Sequence, residues 1–432
     1  MKYLSTRAKK NTTGISFSEA TLRGLAKDGG LYVPESFPYF DHKLIPDSVL
    51  EKETLSKIAE TVLAPWLIGD ELEGQLKLLT KRAFTFPVPL TRLENELYLL
   101  ELSHGPTLAF KDVGAKFLAE CLDLCPTARG KTVLVATSGD TGGAVAAAFY
   151  EKPGLDVVIL YPKGGVSERQ ELQLCTWGKN IRAFAVRGSF DDCQALVKQG
   201  FLDPNLQDHL LSANSINLAR LLAQTLYYAK SSLTYLRHWG REPGFIIPTG
   251  NLGNALAALW AKKMGFPLRS VVLATNANQT LVNYFKTGLW QPQASISTLA
   301  NAMDVGNPSN AERLFHLYPN FDELRRDVRA YSVTDEQISR TIERGYQQWG
   351  RAFCPHTAAA LCVSEQLREK DWILVETAHP AKFVETLSPL IPTPIETPER
   401  LQAILSKKKQ LTEIAPQLEE LRSILKNSGS GA

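Results

Sequence analysis

From residue 96 onward, short apolar runs alternate with amphipathic stretches, and this alternation restricts the fold more than any other feature of the chain. ELYLLEL (residues 96–102) precedes AKFLAECLDL, and TVLVAT (132–137) precedes GGAVAAAFY. LDVVILY and IRAFAVR follow, the second leading into FDDCQALVKQGF. After a long periodic run over 215–239 come GFIIPT with NALAALWAKKMG, then SVVLAT, then DWILVET (371–377). Strand-like runs separated by helical ones predict βα units, and hence a mostly parallel sheet covered on both faces. The expected fold is doubly wound α/β.

The first ninety residues read differently. FSEATLRGLAKDGG (17–30) predicts a helix from a Ser18 cap to its glycines, LYVPESFP an extended segment, and residues 55–84 have helical apolar spacing. The expected organisation is an N-terminal domain over 1–90, an α/β core over 91–386 in two lobes, and a tail over 387–432. In that tail, proline-rich LSPLIPTPIETPER leads into AILSKKKQLTEIAPQLEELRSILK, read as helical, with NSGSGA as a frayed end. Lys407 to Lys409 read as a solvated helix face.

A chain of 432 residues can bury a large core without staples, and 44% hydrophobic with 22% charged residues excludes disordered and fibrous classes. Forty-eight basic against 45 acidic residues give a net charge of +3, which implies no global attraction to nucleic acid or an acidic membrane. The six cysteines have no second pair at zinc-ligand spacing, so buried reduced thiols are expected and no metal site. Met1 to Lys10 has no apolar segment behind its basic residues, and no run approaches the ~20 apolar residues that span a bilayer. The expected compartment is the cytoplasm.

Parallel sheets place ligands at the carboxyl ends of strands. There, Pro248-Thr249-Gly250-Asn251-Leu252-Gly253-Asn254 joins strand-like GFIIP to a helical run. Its glycines let backbone N–H groups approach an anion at a helix N-terminus, although a plain tight turn accounts for the loop equally well. It is neither the dinucleotide fingerprint nor a P-loop. A nucleotide would also call for an acidic residue about 20 positions on, which falls in SVVLAT and is absent. A second loop, Thr137-Ser138-Gly139-Asp140-Thr141-Gly142-Gly143, again offers hydroxyls and a helix start; an anion such as a carboxylate suits it, and Asp140 could simply cap the helix. The third feature is Lys111 in HGPTLAFKD (104–112), a lysine among apolar residues. Partial desolvation would lower its pKa and make it a Schiff-base nucleophile, whereas most lysines at helix starts are solvated.

Taken in order, these segments resemble the threonine synthase family, fold-type-II enzymes that use pyridoxal 5'-phosphate. GLAKDGGLYVPE (24–35) is similar to the family's N-terminal signature, and SGDTGGA, NSIN with ARLLAQ, PTGNLGN, NAMDVGNPSN and TAHPAKF all fall in the family's order. The resemblance implies that Lys111 carries the cofactor and that Gly250, Asn251, Leu252, Gly253 and Asn254 cradle its phosphate. It implies Asp140 near the ring hydroxyl, Thr377 at the pyridine nitrogen, and Thr137, Ser138 and Thr141 near a substrate carboxylate. Asn217, Arg220, Asn307, Ser309 and Asn310 are the candidates for a second phosphate.

The implied substrate is O-phospho-L-homoserine, and the products are L-threonine and phosphate. The alternatives are a related phospholyase giving 2-oxobutyrate, ammonia and phosphate, or a non-catalytic relative. PTGNLGN departs from the commoner family form, in which an aspartate follows the second glycine; Asn254 keeps the hydrogen-bonding shape without the charge. His104, His356 and His379 are expected to be structural, and Lys163 solvated. The partner is a small molecule, with no nucleic acid or membrane, and the protein is a monomer or homodimer. Because the chain starts at the domain signature, activation by S-adenosylmethionine is not expected.

Overall fold

A computed structural model describes residues 1–426; the NSGSGA end lies outside the described residues. Strands β1 (Tyr3–Ser5) and β2 (Tyr32–Pro34) pair antiparallel and are followed by helices Ser56–Leu63 and Leu76–Ala83. The first helix spans Phe17–Arg23 and is capped by Ser16, one turn-forming serine earlier than Ser18; Gly24, at φ +66°, ends it. Ser16 wins because its hydroxyl reaches the Glu19 N–H, while Ser18 is turned to Asp70.

The remaining strands are β3 (Leu90–Glu94), β4 (Leu97–Glu101), β5 (Lys131–Ala136), β6 (Leu155–Pro162), β7 (Ile181–Val186), β8 (Leu210–Ser212), β9 (Gly244–Pro248), β10 (Val271–Thr275), β11 (Val328–Ser332), β12 (Trp372–Glu376) and β13 (Leu411–Ile414). They form two sheets, in the orders β11-β10-β9-β12-β4-β3 and β13-β7-β6-β5-β8. All pairings are parallel except the β3–β4 hairpin. The doubly wound α/β architecture anticipated from the alternating runs is therefore present as two sheets. Helices cover both faces, so central strands such as β9, β10 and β12 are buried at every position.

The tail is not simply helical. Helix Glu399–Leu405 gives way to β13, which adds parallel to β7, and only then to helix Leu418–Lys426. The lysines 407–409 lie in the exposed connection and not on a helix face, with Lys409 paired to Glu171. A free edge on β7 offers a ladder of hydrogen bonds that a short LTEI segment satisfies, which outweighs its weak helical spacing.

The N-terminal segment is packed directly behind the site. Trp66 and Trp260 stack at 5.8 Å and 5°, and Trp260 lies on helix Gly253–Lys263, whose N-terminus carries the glycine loop. Tyr3 donates to the Trp66 carbonyl at 2.8 Å, so β1, this aromatic pair and the loop helix form one continuous piece of core.

Candidate active site

Three neighbouring strands of the six-stranded sheet, β9, β12 and β4, end side by side, and the segments beyond their carboxyl ends carry the glycine loop, Thr377 and Lys111. The Asp140 loop follows β5, in the interior of the other sheet. The site is thus assembled where parallel strands of both sheets deliver their loops.

Lys111 is the first residue of helix Lys111–Leu124. The approach is fixed by Asp112, which accepts from the Thr107 N–H at 2.9 Å and the Thr107 hydroxyl at 2.6 Å. Leu108 takes a left-handed conformation (φ +60°) in the turn between. Phe110 donates its N–H to the Thr377 carbonyl at 2.8 Å, which brings the ends of β4 and β12 together at the lysine. Lys111 is half-buried, yet surrounded by enough protein that burial pushes its ammonium down to about 8. Asp140 opposes that shift, while Arg220 and Lys382 add to it. A helix N-terminus also disfavours a cation. No hydrogen bond or ion pair engages Nζ among the described residues, only the Phe110 ring at 5.6 Å.

Asp140 opens helix Asp140–Phe149 and is 4% exposed. It accepts from Lys382 Nζ at 2.7 Å and from Gln170 at 3.0 Å. Burial by itself would raise its pKa; the ammoniums of Lys382 and Lys111 overcome this and hold the carboxyl well below the usual range. Thr137 is buried and builds the loop: its hydroxyl accepts from the N–H groups of Gly139 (3.0 Å) and Gly142 (2.8 Å) and donates to the Gly139 carbonyl. Ser138 and Thr141 remain partly exposed.

In the glycine loop, Leu252 is left-handed (φ +65°) and no side chain caps helix Gly253–Lys263. A Cβ on Gly250 would lie 2.7 Å from the Met303 Cα. Asn251 is clasped by Ser215 (2.6 Å), by the Ser309 N–H (2.5 Å) and, at its carbonyl, by Asn310 (3.1 Å). Asn254 accepts hydroxyls from Tyr227 (2.5 Å) and Tyr228 (2.8 Å), leaving its buried Nδ2 without a partner. Both tyrosine hydroxyls are thereby satisfied by a neutral acceptor.

The candidates for a second phosphate divide. Arg220 is buried and donates to the Ala213 carbonyl at 2.6 Å; among the described residues its Nε is unpartnered and no carboxylate pairs with it, and burial pushes it down to about 10. Asn307 and Ser309 are exposed. Asn310 is fully buried and committed to Asn251 and to Arg313, so it braces the glycine loop. Asn217 must be corrected: its oxygen caps helix Leu218–Trp239, and its amide donates to the carbonyls of Thr21 and Ser212, both at 2.9 Å. With no exposed surface it is scaffold and presents no atom to a ligand.

Four further residues were not singled out from the sequence as members of the site: Lys382, Gln170, Arg313 and His356. Arg313 is fully buried and ties Tyr32, Ile216 and Asn310 together. His356 accepts the Ala302 N–H through Nε2, leaving a buried Nδ1 unpartnered, and burial lowers it to about 4. The one textual hint was lysine between Ala381 and Phe383, two apolar neighbours where a solvated lysine is unexpected. His104 pairs with Glu101 at 2.8 Å, His379 caps the turn Pro380–Phe383, and Lys163 pairs with Glu413 at the surface. All six cysteines are free and buried.

A profile described as "Pyridoxal-phosphate dependent enzyme" matches residues 82–376, "Threonine synthase N terminus" matches 2–84, and "Threonine synthase, C-terminal" matches 357–425. The chain belongs to the threonine synthase family. The threonine synthase of Haemophilus influenzae is 40% identical over 391 residues, 90% of this chain and 91% of that one. That of Escherichia coli is 38% identical over 398 residues, covering 91% and 92%. The crystal structure of the Escherichia coli threonine synthase superposes with a TM-score of 0.90 at 37% identity, over 99% of this chain and all of that one. The Brucella melitensis threonine synthase, a structure with bound PLP, gives 0.90 at 31% over the whole of both chains. As a threonine synthase family member the chain is a pyridoxal-phosphate-dependent enzyme, and its residues fit that group. Lys111 Nζ has no hydrogen bond or ion pair among the described residues, Gly250 packs so closely on the Met303 backbone that a Cβ would not fit, and the buried Thr377 hydroxyl is unpartnered.

Proposed function

We propose that this chain converts O-phospho-L-homoserine and water to L-threonine and phosphate. The observation that carries the reading is the unpaired Lys111 amine and the unpartnered Thr377 hydroxyl, on segments beyond adjacent strands that the Phe110 N–H and the Thr377 carbonyl join, in a chain matched along its length by threonine synthases. Bound pyridoxal phosphate supplies an electron sink that acidifies C–H bonds of an attached amino acid.

The chain's own residues do the rest. The N–H groups from Gly250 to Asn254 would hold the cofactor phosphate at the start of helix Gly253–Lys263, where the helix dipole adds a favourable partial charge. Thr377 would meet the pyridine nitrogen with a neutral hydroxyl, which would compel no protonation there. Lys111, with a pKa of about 8, can hold or release a proton at Nζ near neutral pH, the property a residue shuttling protons between carbon positions requires. Arg220 supplies a buried cation without a carboxylate, suited to the substrate's phosphate. Ser138 and Thr141, both partly exposed, are the residues we assign to the substrate carboxylate. The setting we infer is cytoplasmic, with a free small molecule as substrate; no helix among the described residues is long and apolar enough to cross a membrane.

The test is product analysis with O-phospho-L-homoserine on cofactor-loaded protein, alongside Lys111→Ala. Phosphate matched by threonine, and lost in the variant, is the expected result. Phosphate matched by 2-oxobutyrate would move the protein to the phospholyases, and no phosphate release would overturn the substrate.

A further inference from the structure

Asp140 and Lys382 form an ion pair 2.7 Å long between side chains 4% and 0% exposed. Burying two charges is justified energetically only when geometry is good and the remaining hydrogen bonds are met. Here the pair has further support: Gln170 donates to the same Asp140 oxygen at 3.0 Å, and Lys382 Nζ also donates to the Thr107 carbonyl at 2.9 Å. That carbonyl belongs to the loop leading into Lys111.

The charged groups acting on Lys111 are Asp140, Arg220, Lys382 and His356; those acting on Lys382 include, besides Asp140 and Lys111, Asp112, His356 and His379. His356 is held neutral by burial. Asp112 is occupied by Thr107. Arg220 is turned to a backbone carbonyl. Asp140 is therefore the carboxylate that raises the Lys111 pKa, and it is committed to a second lysine.

We propose that Lys382 is a positioning residue for Lys111: by pairing with Asp140 it keeps that carboxylate from claiming the Lys111 ammonium, whose Nζ then stands unpaired and available to a carbonyl. This rests on the reading of Lys111 as the cofactor lysine. Condensation uses the amine's lone pair: nitrogen attacks the aldehyde carbon, the C=N bond forms, and the aldehyde oxygen leaves as water with both amine hydrogens. Only the neutral amine has that pair, so an ion pair between Lys111 and Asp140 would slow loading.

The experiment is trace acetylation of the apoprotein with acetic anhydride from about pH 6 to about pH 10, reading Lys111 by peptide mass spectrometry. Uptake of pyridoxal 5'-phosphate is followed separately by visible absorbance. In Lys382→Met the Lys111 midpoint should move alkaline by about one unit or more, the effect of an unshielded opposite charge, with uptake near neutrality slowed about tenfold. In Lys382→Met/Asp140→Asn, which removes both charges, the midpoint should return to within about half a unit of the native one.

A native-like midpoint in the single variant overturns the proposal, and so does a shift above about one unit in the double variant. Should Lys382→Met fail to fold, Lys382→Gln, which removes the charge but keeps a hydrogen-bonding side chain against Asp140, takes its place in the same comparison. If the native apoprotein takes up no cofactor at Lys111, the cofactor-lysine reading fails instead. The two failures are distinct because acetylation reads the amine without any cofactor.

Discussion

Replacing Gly250 by alanine tests the cradle with the smallest perturbation available. The added Cβ would lie 2.7 Å from the Met303 Cα, 2.9 Å from its carbonyl oxygen and 3.0 Å from its carbonyl carbon. All three are backbone atoms, so no rotamer change relieves the contact. Gly250 does not have a positive φ, so the effect is steric and carries no Ramachandran strain. The loop cannot simply slide away, because Asn251 is held by Ser215, the Ser309 N–H and Asn310. Overpacking of this kind costs about 1–3 kcal/mol. If the loop relaxes in the apoprotein and must be forced back to meet the phosphate, the whole cost appears in cofactor affinity, as about a 5- to 140-fold rise in Kd. If the loop is rigid, part appears as a lower apoprotein Tm. Titrating apoprotein with pyridoxal 5'-phosphate by absorbance, with thermal melts in parallel, measures both. A Kd within about twofold of native together with an unchanged Tm would refute the reasoning, since Met303 would then have yielded at no cost.

Two further substitutions probe groups around β12. Thr377→Val removes a buried hydroxyl that has no partner, so the apoprotein should gain about 1 kcal/mol or more, while loss of one hydrogen bond weakens the cofactor about 2- to 12-fold. The opposite signs are the check, and a lower apoprotein Tm or an unmoved Kd would count against a ligand-facing hydroxyl. Glu376 is pushed by burial from 4.5 up to about 7 despite its ion pair with Arg351. The native state thus binds this proton more tightly than the unfolded chain, and stability falls as pH rises from about 4.5 to about 7. Glu376→Gln removes that decline, so its Tm relative to native should be higher at pH 8 than at pH 5; parallel Tm–pH curves would contradict the shift.

The strands of the core were legible because they are buried on both faces, and a wholly apolar run between helical ones has few other places to go. GFIIP, VVLAT and WILVE are strands at those positions, and the loops beyond them carry the candidate site. The β13 strand was not legible, since LTEI has only two apolar residues and becomes a strand by completing the edge of β7. Asn217 failed for another reason: an asparagine just before a helix is equally suited to a ligand and to an N-cap, and only the positions of Thr21 and Ser212 decide between them. Lys382 is legible only once the fold is known, because its counter-charge lies 242 residues earlier, beyond a strand of the other sheet.

The distribution of unsatisfied buried atoms carries the same message without reference to motifs. Native interiors leave few polar atoms unpaired, and each calls for an explanation. Nine side chains among the described residues have such an atom, and three of them, Thr21, Trp66 and Glu120, lie in the N-terminal segment or on the far part of helix Lys111–Leu124. The other six are Asn214, Arg220, Asn254, Asn301, His356 and Thr377. Thr377 touches the Lys111 turn through the backbone, and Asn254 opens the glycine-loop helix. Arg220 and His356 act electrostatically on Lys111 or Asp140, Asn301 meets Gln170, and Asn214 adjoins the Ser215 that holds Asn251. Of these, Thr377 is the one joined to the Lys111 turn by a backbone hydrogen bond, so its hydroxyl is the group whose partner a bound cofactor would supply. On that account, loading with pyridoxal 5'-phosphate should raise Tm by more in the native protein than in Thr377→Val, because the hydroxyl contributes only once its partner arrives.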